Sequence, residues 1–266
     1  MKFFKIPLST ENENVYMDAY IADPIGGKSR KAMLVLPGGG YYGLACDREG
    51  EPIAMAFMAQ GYNAFVLHYS VGRVAPFPAQ LIETAKAIKH IKDNAEAYGI
   101  DADEVFTVGF SAGGHLAACT GVLWKHPAIY EALDLPYGYN KPKGTILVYP
   151  VLDPEYRNGT FDNLLCIDNP DTDALNAVNI PKNVDADSAP AFIVHTVDDE
   201  AVDVRNPLSL AWALAEAGHK FELHIYPHAP HGVALGNHIT DCGKPDWNNP
   251  AIAQWVSQAA YWADNL

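Results

Sequence analysis

The sequence predicts an α/β protein with a mostly parallel central sheet covered by helices on both faces, and two observations carry that expectation. Short apolar runs of strand length alternate with helix-like segments from one end of the chain to the other. One of those runs leads directly into Gly109-Phe110-Ser111-Ala112-Gly113, a glycine-flanked turn followed by the helix-like GHLAACT. No fixed-period repeat is visible, which excludes a solenoid.

In chain order, residues 31–36 (KAMLVL) and 64–68 (AFVLH) read as strands. They are joined by the helical PIAMAFMAQG, with Pro52 near its start and Gly61 just past its end. A second helix is expected from about Gln80 to Tyr98, where Leu81, Ile82, Ala85, Ile88, Ile91 and Ala95 fall at helical spacing and Gly99 supplies the stop. Val105 to Val108, Thr145 to Tyr149, Ala191 to His195 and Phe221 to Ile225 read as further strands. Asn206 and Pro207 read as the cap and first residue of a helix running to Ala217, closed by Gly218. Lys2 to Pro7 and Val15 to Ile21 read as an added antiparallel edge.

With 266 residues, 49% hydrophobic and 19% charged, the chain has enough apolar surface for a sizeable core, and a single domain over residues 1–266 is expected. Two stretches, residues 122–143 and the Asp-, Asn- and Pro-rich 153–190, show no regular pattern and are expected to build a substrate pocket or lid. The apolar start MKFF is too short for a secretory leader, and no run approaches the roughly 18 apolar residues of a membrane span. No membrane association and a cytoplasmic location are therefore expected. Cys46, Cys119, Cys166 and Cys242 lie far apart with no CxxC pair, which fits reduced thiols. The formal charge of −14 repels polyanions, so nucleic acid is not an expected partner, whereas a neutral small molecule is.

The chemistry centres on Ser111. Given the glycine and serine content, chance would produce roughly 0.04 copies of a G-x-S-x-G run in a chain of this length. A serine thrown out at a sharp strand-to-helix turn needs strained torsions, and glycine two positions to either side removes the resulting collisions. The helix that begins beside it turns free N–H groups toward an oxyanion. A serine hydroxyl is a weak nucleophile and requires a histidine base oriented by a carboxylate. At such a turn the acid comes next in the chain and the histidine last. HTVDDEAVD, after the strand Ala191 to His195, offers Asp198 and Asp199, and YPHAPHGVAL offers His228 and His231.

PGGGYYG, GFSAGGHLAA, HTVDDEAV and HGVAL, in that order, resemble the acetyl-esterase and xylan-esterase-like branch of the α/β-hydrolase fold, related to hormone-sensitive-lipase-like enzymes. The resemblance extends over about residues 30 to 262, including the closing AQWVSQAAYW helix. In that family the acid lies four residues after a histidine in an H-G-x-x-D-x-x-V-P pattern, which selects Asp199 after His195, with Asp198 in reserve. Thr196 stands where the family has Gly and Asp203 where it has Pro. The histidine before glycine matches His231. Pro37-Gly38-Gly39-Gly40-Tyr41 looks like the family's HGGG turn, with Pro37 in place of the histidine; its register implies oxyanion donors at Gly39 and Gly40, joined by Ala112.

The resemblance implies acyl transfer to water from short-chain, chiefly acetyl, esters of carbohydrates such as acetylated xylo-oligosaccharides, with no cofactor. Tyr41, Tyr42 and Trp124 are candidate sugar-stacking faces. Pro227 and Pro230 forbid a helical zinc pairing of His224, His228 and His231, so no metal is expected. His115, one helical turn after Ser111, is expected to pack or cap, and His68 and Tyr69 close a strand. A homo-oligomer is compatible with the sequence. An amidase, peptidase or formamidase would use the same triad. A non-catalytic binding module on a hydrolase scaffold is disfavoured by the intact Ser, Asp, His order.

Overall fold

The computed structural model describes every residue except 157 and 158. Among the described residues the strands are β1 (Lys2–Pro7), β2 (Tyr16–Ile21), β3 (Arg30–Leu36), β4 (Asn63–His68), β5 (Ile100–Phe110), β6 (Gly144–Val148), β7 (Ala191–Thr196) and β8 (Phe221–Tyr226). They form one sheet in the order β1-β2-β4-β3-β5-β6-β7-β8. β1 and β2, and β2 and β4, pair antiparallel, and the pairs from β4 through β8 are parallel. The expected edge hairpin and the mostly parallel sheet are both present.

The helices are α1 (Cys46–Glu49), α2 (Glu51–Ala59), α3 (Ala79–Asp93), α4 (Ala95–Tyr98), α5 (Ala112–Val122), α6 (Pro127–Ala132), α7 (Thr160–Leu165), α8 (Thr172–Ala177), α9 (Ile180–Asn183), α10 (Arg205–Glu216) and α11 (Trp255–Asp264). Side chains on successive strand residues point to opposite faces, so β3 feeds two cores. Ala32, Leu34 and Leu36 join Leu81, Ile88, Leu116 and Leu210 from α3, α5 and α10. Met33 and Val35 join Phe57, Trp255 and Ala259 from α2 and α11. A fully buried side chain of the Leu or Phe class contributes about 1.5–3 kcal/mol, which is why the strand runs read as continuously apolar.

Four expectations are corrected in detail. The helix from Gln80 to Tyr98 is broken: α3 ends at Asp93, and the Asn94 side chain donates to the His90 carbonyl at 2.8 Å, competing with the helical ladder. β5 is longer than Val105 to Val108, because its first half pairs with β3 across an irregular register at Arg30/Ala32. α10 starts at Arg205, and Asn206 is not its cap. Its buried Oδ1 accepts from the Leu152 and Asp153 amides at 2.8 and 2.9 Å, cross-linking the chain after β6 to the start of α10.

The fourth concerns residues 122–143. They carry α6 and lead from the end of α5 to the start of β6, where Lys143 N–H donates to the Val105 carbonyl at 2.8 Å. Lys143 and Trp124 lie at the end of the sheet opposite Ser111, whereas His126 packs edge-on against Phe77, just before α3, with ring centroids 5.7 Å apart. The described part of 153–190 meets the same loop after β4: Phe77 N–H donates to Leu164 O at 2.9 Å and Arg73 pairs with Asp168 at 2.6 Å.

Candidate active site

Ser111 is the single residue between β5 and α5, at φ 53°. Such a torsion is strained in a non-glycine residue and persists only where the surroundings enforce it. Here Ser111 N–H donates to Val148 O, and its carbonyl accepts from the His115 and Val151 amides, each at 3.1 Å. A Cβ on Gly109 would lie 2.0 Å from Gly113 O, and one on Gly113 would lie 2.1 Å from Leu36 O, so both flanking glycines are sterically required.

His231 Nε2 is 2.9 Å from Ser111 Oγ, and His231 Nδ1 is 2.7 Å from Asp199 Oδ2. The second carboxylate oxygen, Oδ1, accepts from the Ala201 and Val202 amides at 2.9 and 2.8 Å, which fixes Asp199 in its loop. Burial alone would push the Asp199 carboxyl up. The hydrogen bond and charge of His231, with the Val202 amide, outweigh it and hold the carboxyl below the ordinary Asp value.

The neighbouring Asp198 has a different partner: its Oδ1 accepts from Ala229 N–H and its Oδ2 lies 3.0 Å from His228 Nδ1, both at the exposed rim. The two departures from the family pattern are structural. Thr196 Oγ1 donates to Ala229 O at 2.7 Å and ties the acid loop to the histidine loop, and Asp203 Oδ1 accepts the Arg205 N–H that opens α10. His195 is fully buried behind Asp199 and donates from Nε2 to Val202 O at 2.9 Å.

The glycine-rich loop after β3 lies against the serine. A Cβ on Gly38 would lie 3.0 Å from Ser111 Cβ. Gly39 (φ 130°) and Gly40 (φ 64°) occupy torsions that favour glycine, and a Cβ at Gly39 would strike Gly43 O at 2.2 Å. Among the described residues no hydrogen bond uses the amide N–H of Gly39, Gly40 or Ala112. Three donors are thus left unpaired in the segments that meet at Ser111. Where the family has a histidine, the Pro37 carbonyl accepts from the Tyr69 hydroxyl at 2.5 Å, and Asn163 Nδ2 of α7 donates to Gly40 O at 2.9 Å.

The aromatic candidates separate. Tyr42 is 74% exposed. Tyr41 is buried, with its hydroxyl 2.9 Å from His115 Nδ1, and offers no stacking face. Trp124 is buried too and donates to Asp187 O, just before β7 begins, at the end of the sheet away from Ser111. His115, bridging Tyr41 and Val178 O, is a packing residue as expected. His224 pairs with Glu222, and His68 with Asp18. The four cysteines are free.

Sequence reasoning missed Glu49, Tyr149 and Asn163, which hold the loops around Ser111. No described helix is long and apolar enough to cross a membrane.

A parallel sheet that carries a strained serine at the end of a central strand, with an acid and a histidine on later strand ends, defines an α/β hydrolase. Within that class the chain belongs to the BD-FAE family, which it matches over residues 17–214. It is 34% identical over 217 residues to endo-1,4-beta-xylanase B of Butyrivibrio fibrisolvens, covering 78% of this chain and 33% of that protein. It is 27% identical over 219 residues to an acetylxylan esterase of Xylanibacter ruminicola, covering 78% of this chain and 42% of that one. The chain therefore spans less than half the length of these curated relatives. Among solved structures, an acetyl ester-xyloside bifunctional hydrolase from Caldicellulosiruptor lactoaceticus superposes with a TM-score of 0.82 at 31% identity, covering 98% of this chain and 96% of that one.

Proposed function

We propose that the chain is a serine carboxylic-ester hydrolase that removes short acyl groups, chiefly acetyl, from carbohydrates such as acetylated xylo-oligosaccharides. The observation that carries this reading is the unbroken hydrogen-bonded line from Asp199 Oδ2 through both ring nitrogens of His231 to Ser111 Oγ. His231 takes the Ser111 proton as Oγ attacks the ester carbonyl, and Asp199 fixes the imidazole tautomer and stabilises the imidazolium. The unpaired amides of Gly39, Gly40 and Ala112 receive the oxyanion. The imidazolium returns its proton to the leaving alcohol, and a water activated by the same histidine then hydrolyses the acyl-enzyme.

The carbohydrate part rests on relatives named for acetylxylan and xyloside hydrolysis, and a neutral sugar suits a chain of net charge −14. The test is acetate release from acetylated xylo-oligosaccharides, compared with aryl esters of increasing acyl length and with an aryl anilide. Acetate release that disappears in Ser111→Ala supports the reading. Turnover of the anilide in preference to every ester would replace it with an amidase.

A further inference from the structure

We infer that Glu49 is a positioning residue for this ester hydrolysis, a second carboxylate that holds the oxyanion loop and the histidine loop in register and adds a negative charge near the base. The inference deepens the reading just given and rests on the Ser111, His231 and Asp199 assignment.

Glu49 ends α1 and is 2% exposed. Its Oε2 accepts the Gly38 N–H at 2.8 Å, one residue before Gly39. Its Oε1 accepts the Tyr149 hydroxyl at 2.9 Å. Tyr149 in turn packs its ring edge-on against His231, with centroids 4.9 Å apart, and its oxygen accepts the Ala234 N–H at 3.0 Å. Arg48 completes the circuit: its Nε lies 3.9 Å from Glu49 Oε1 and donates to Gly232 O at 3.2 Å, beside His231. One carboxylate thus reaches the residues flanking both the proposed donors and the base. Tyr149 holds φ 38°, a strained torsion for tyrosine, while making these contacts.

Burying a carboxylate is costly, and a neutral acceptor would satisfy the Gly38 amide and the Tyr149 hydroxyl for less. An anion is advantageous where positive charge appears transiently, as it does on His231 in each half of the reaction. The charged and titratable groups facing Glu49 are Arg48 and Cys46 from α1, Tyr149 from the turn after β6, Tyr69 from the end of β4 and His231 from the loop after β8. Burial holds the Glu49 carboxyl above its ordinary value, and Arg48, the Gly38 amide, the Tyr149 hydroxyl and His231 offset that rise only in part.

The test compares Glu49→Gln, Glu49→Asp and Tyr149→Phe with wild type on an aryl acetate across pH. In Glu49→Gln, kcat should fall by about 10- to 100-fold with KM changed less than about threefold. Loss of a nearby anion disfavours the imidazolium, so the acid limb of kcat/KM should move to lower pH by about half a unit. Glu49→Asp keeps the charge and should keep the wild-type limb at reduced kcat. A packing role alone would lower the melting temperature and leave the limb in place, so an unmoved limb in Glu49→Gln overturns the assignment. Tyr149→Phe deletes one hydroxyl and retains the fold; its kcat should drop about tenfold, and a wild-type kcat there overturns the link between the loops. Ser111→Ala run alongside separates the two failures. Activity retained in Ser111→Ala defeats the ester mechanism itself, whereas an inactive Ser111→Ala with a wild-type Glu49→Gln profile defeats only the role of Glu49.

Discussion

Asp199 Oδ2 and His231 Nδ1 are 2.7 Å apart, while the adjacent Asp198 faces the other histidine of the same loop, His228, at 3.0 Å. Adjacent carboxylates thus serve two histidines three residues apart, one pair part-buried and one at the exposed rim. Asp199→Asn presents an amide to His231, favours the wrong tautomer and removes the charge that stabilises the imidazolium. The expected loss is on the order of 10³- to 10⁴-fold in kcat at neutral pH. Asp198→Asn should cost about tenfold or less, because its carboxylate holds His228 and the Ala229 amide at the rim. Both variants are to be assayed on one activated acetate ester after their thermal stabilities are matched. A larger loss in Asp198→Asn would reverse the assignment.

Ser111→Ala removes the proposed nucleophile while leaving Cβ, which a Cβ on Gly38 would approach to 3.0 Å. Activity should fall about 10⁴- to 10⁶-fold with the fold retained. Labelling by a fluorophosphonate probe should vanish in parallel. More than a tenth of wild-type turnover in this variant is incompatible with the serine mechanism.

Ser111, Asp199 and His231, which lie in one hydrogen-bonded line, stood out in the sequence because each lies in a local pattern, a strand run followed by a loop of telling composition. The sheet itself was legible because most of β3, the second half of β5 and all of β7 are buried on both faces. Glu49 was not legible, because its partners Gly38 and Tyr149 arrive from other strand ends, and Tyr149 is 100 residues away in sequence. Trp124 was misplaced for a related reason: an aromatic residue in an irregular segment carries no sign of which end of the sheet it closes. The break at Asn94 is a side-chain-to-backbone competition that apolar spacing cannot report.

Tyr69→Phe tests how the loop copes without the family's histidine. The hydroxyl of Tyr69 is the donor to the Pro37 carbonyl, and its loss leaves a buried acceptor unpaired at the root of the Gly38 to Gly40 turn. Stability should fall by about 1–3 kcal/mol. If the turn amides serve as the proposed oxyanion donors, the loosened turn should lower kcat by about tenfold with little change in KM, since such donors act on the oxyanion rather than on the bound ester. Chemical denaturation and steady-state kinetics on the same preparation read both effects. An unchanged kcat would show that the turn is held by its remaining contacts, Asn163 and Glu49.

The last expectation concerns acid stability and His115. The ring is fully buried between Tyr41 and the Val178 carbonyl, and burial pushes it down from 6.5 to about 4. A base whose folded value is depressed binds fewer protons folded than unfolded, so stability rises with pH across the interval between the two values. The contribution is therefore complete above about pH 6.5 and is lost as pH falls toward 4, by at most roughly 3 kcal/mol. His115→Gln keeps a polar side chain of similar reach but cannot take up the proton. Its stability should be lower than wild type at pH 7.5, where Tyr41 and Val178 lose ideal partners, and should decline less steeply between pH 6.5 and 4. Urea midpoints for both proteins at half-unit pH steps measure the two slopes. Equal slopes would mean that His115 takes up its proton without opening the core, and that Tyr41 and the adjoining Gly38 to Gly40 turn tolerate a charged neighbour.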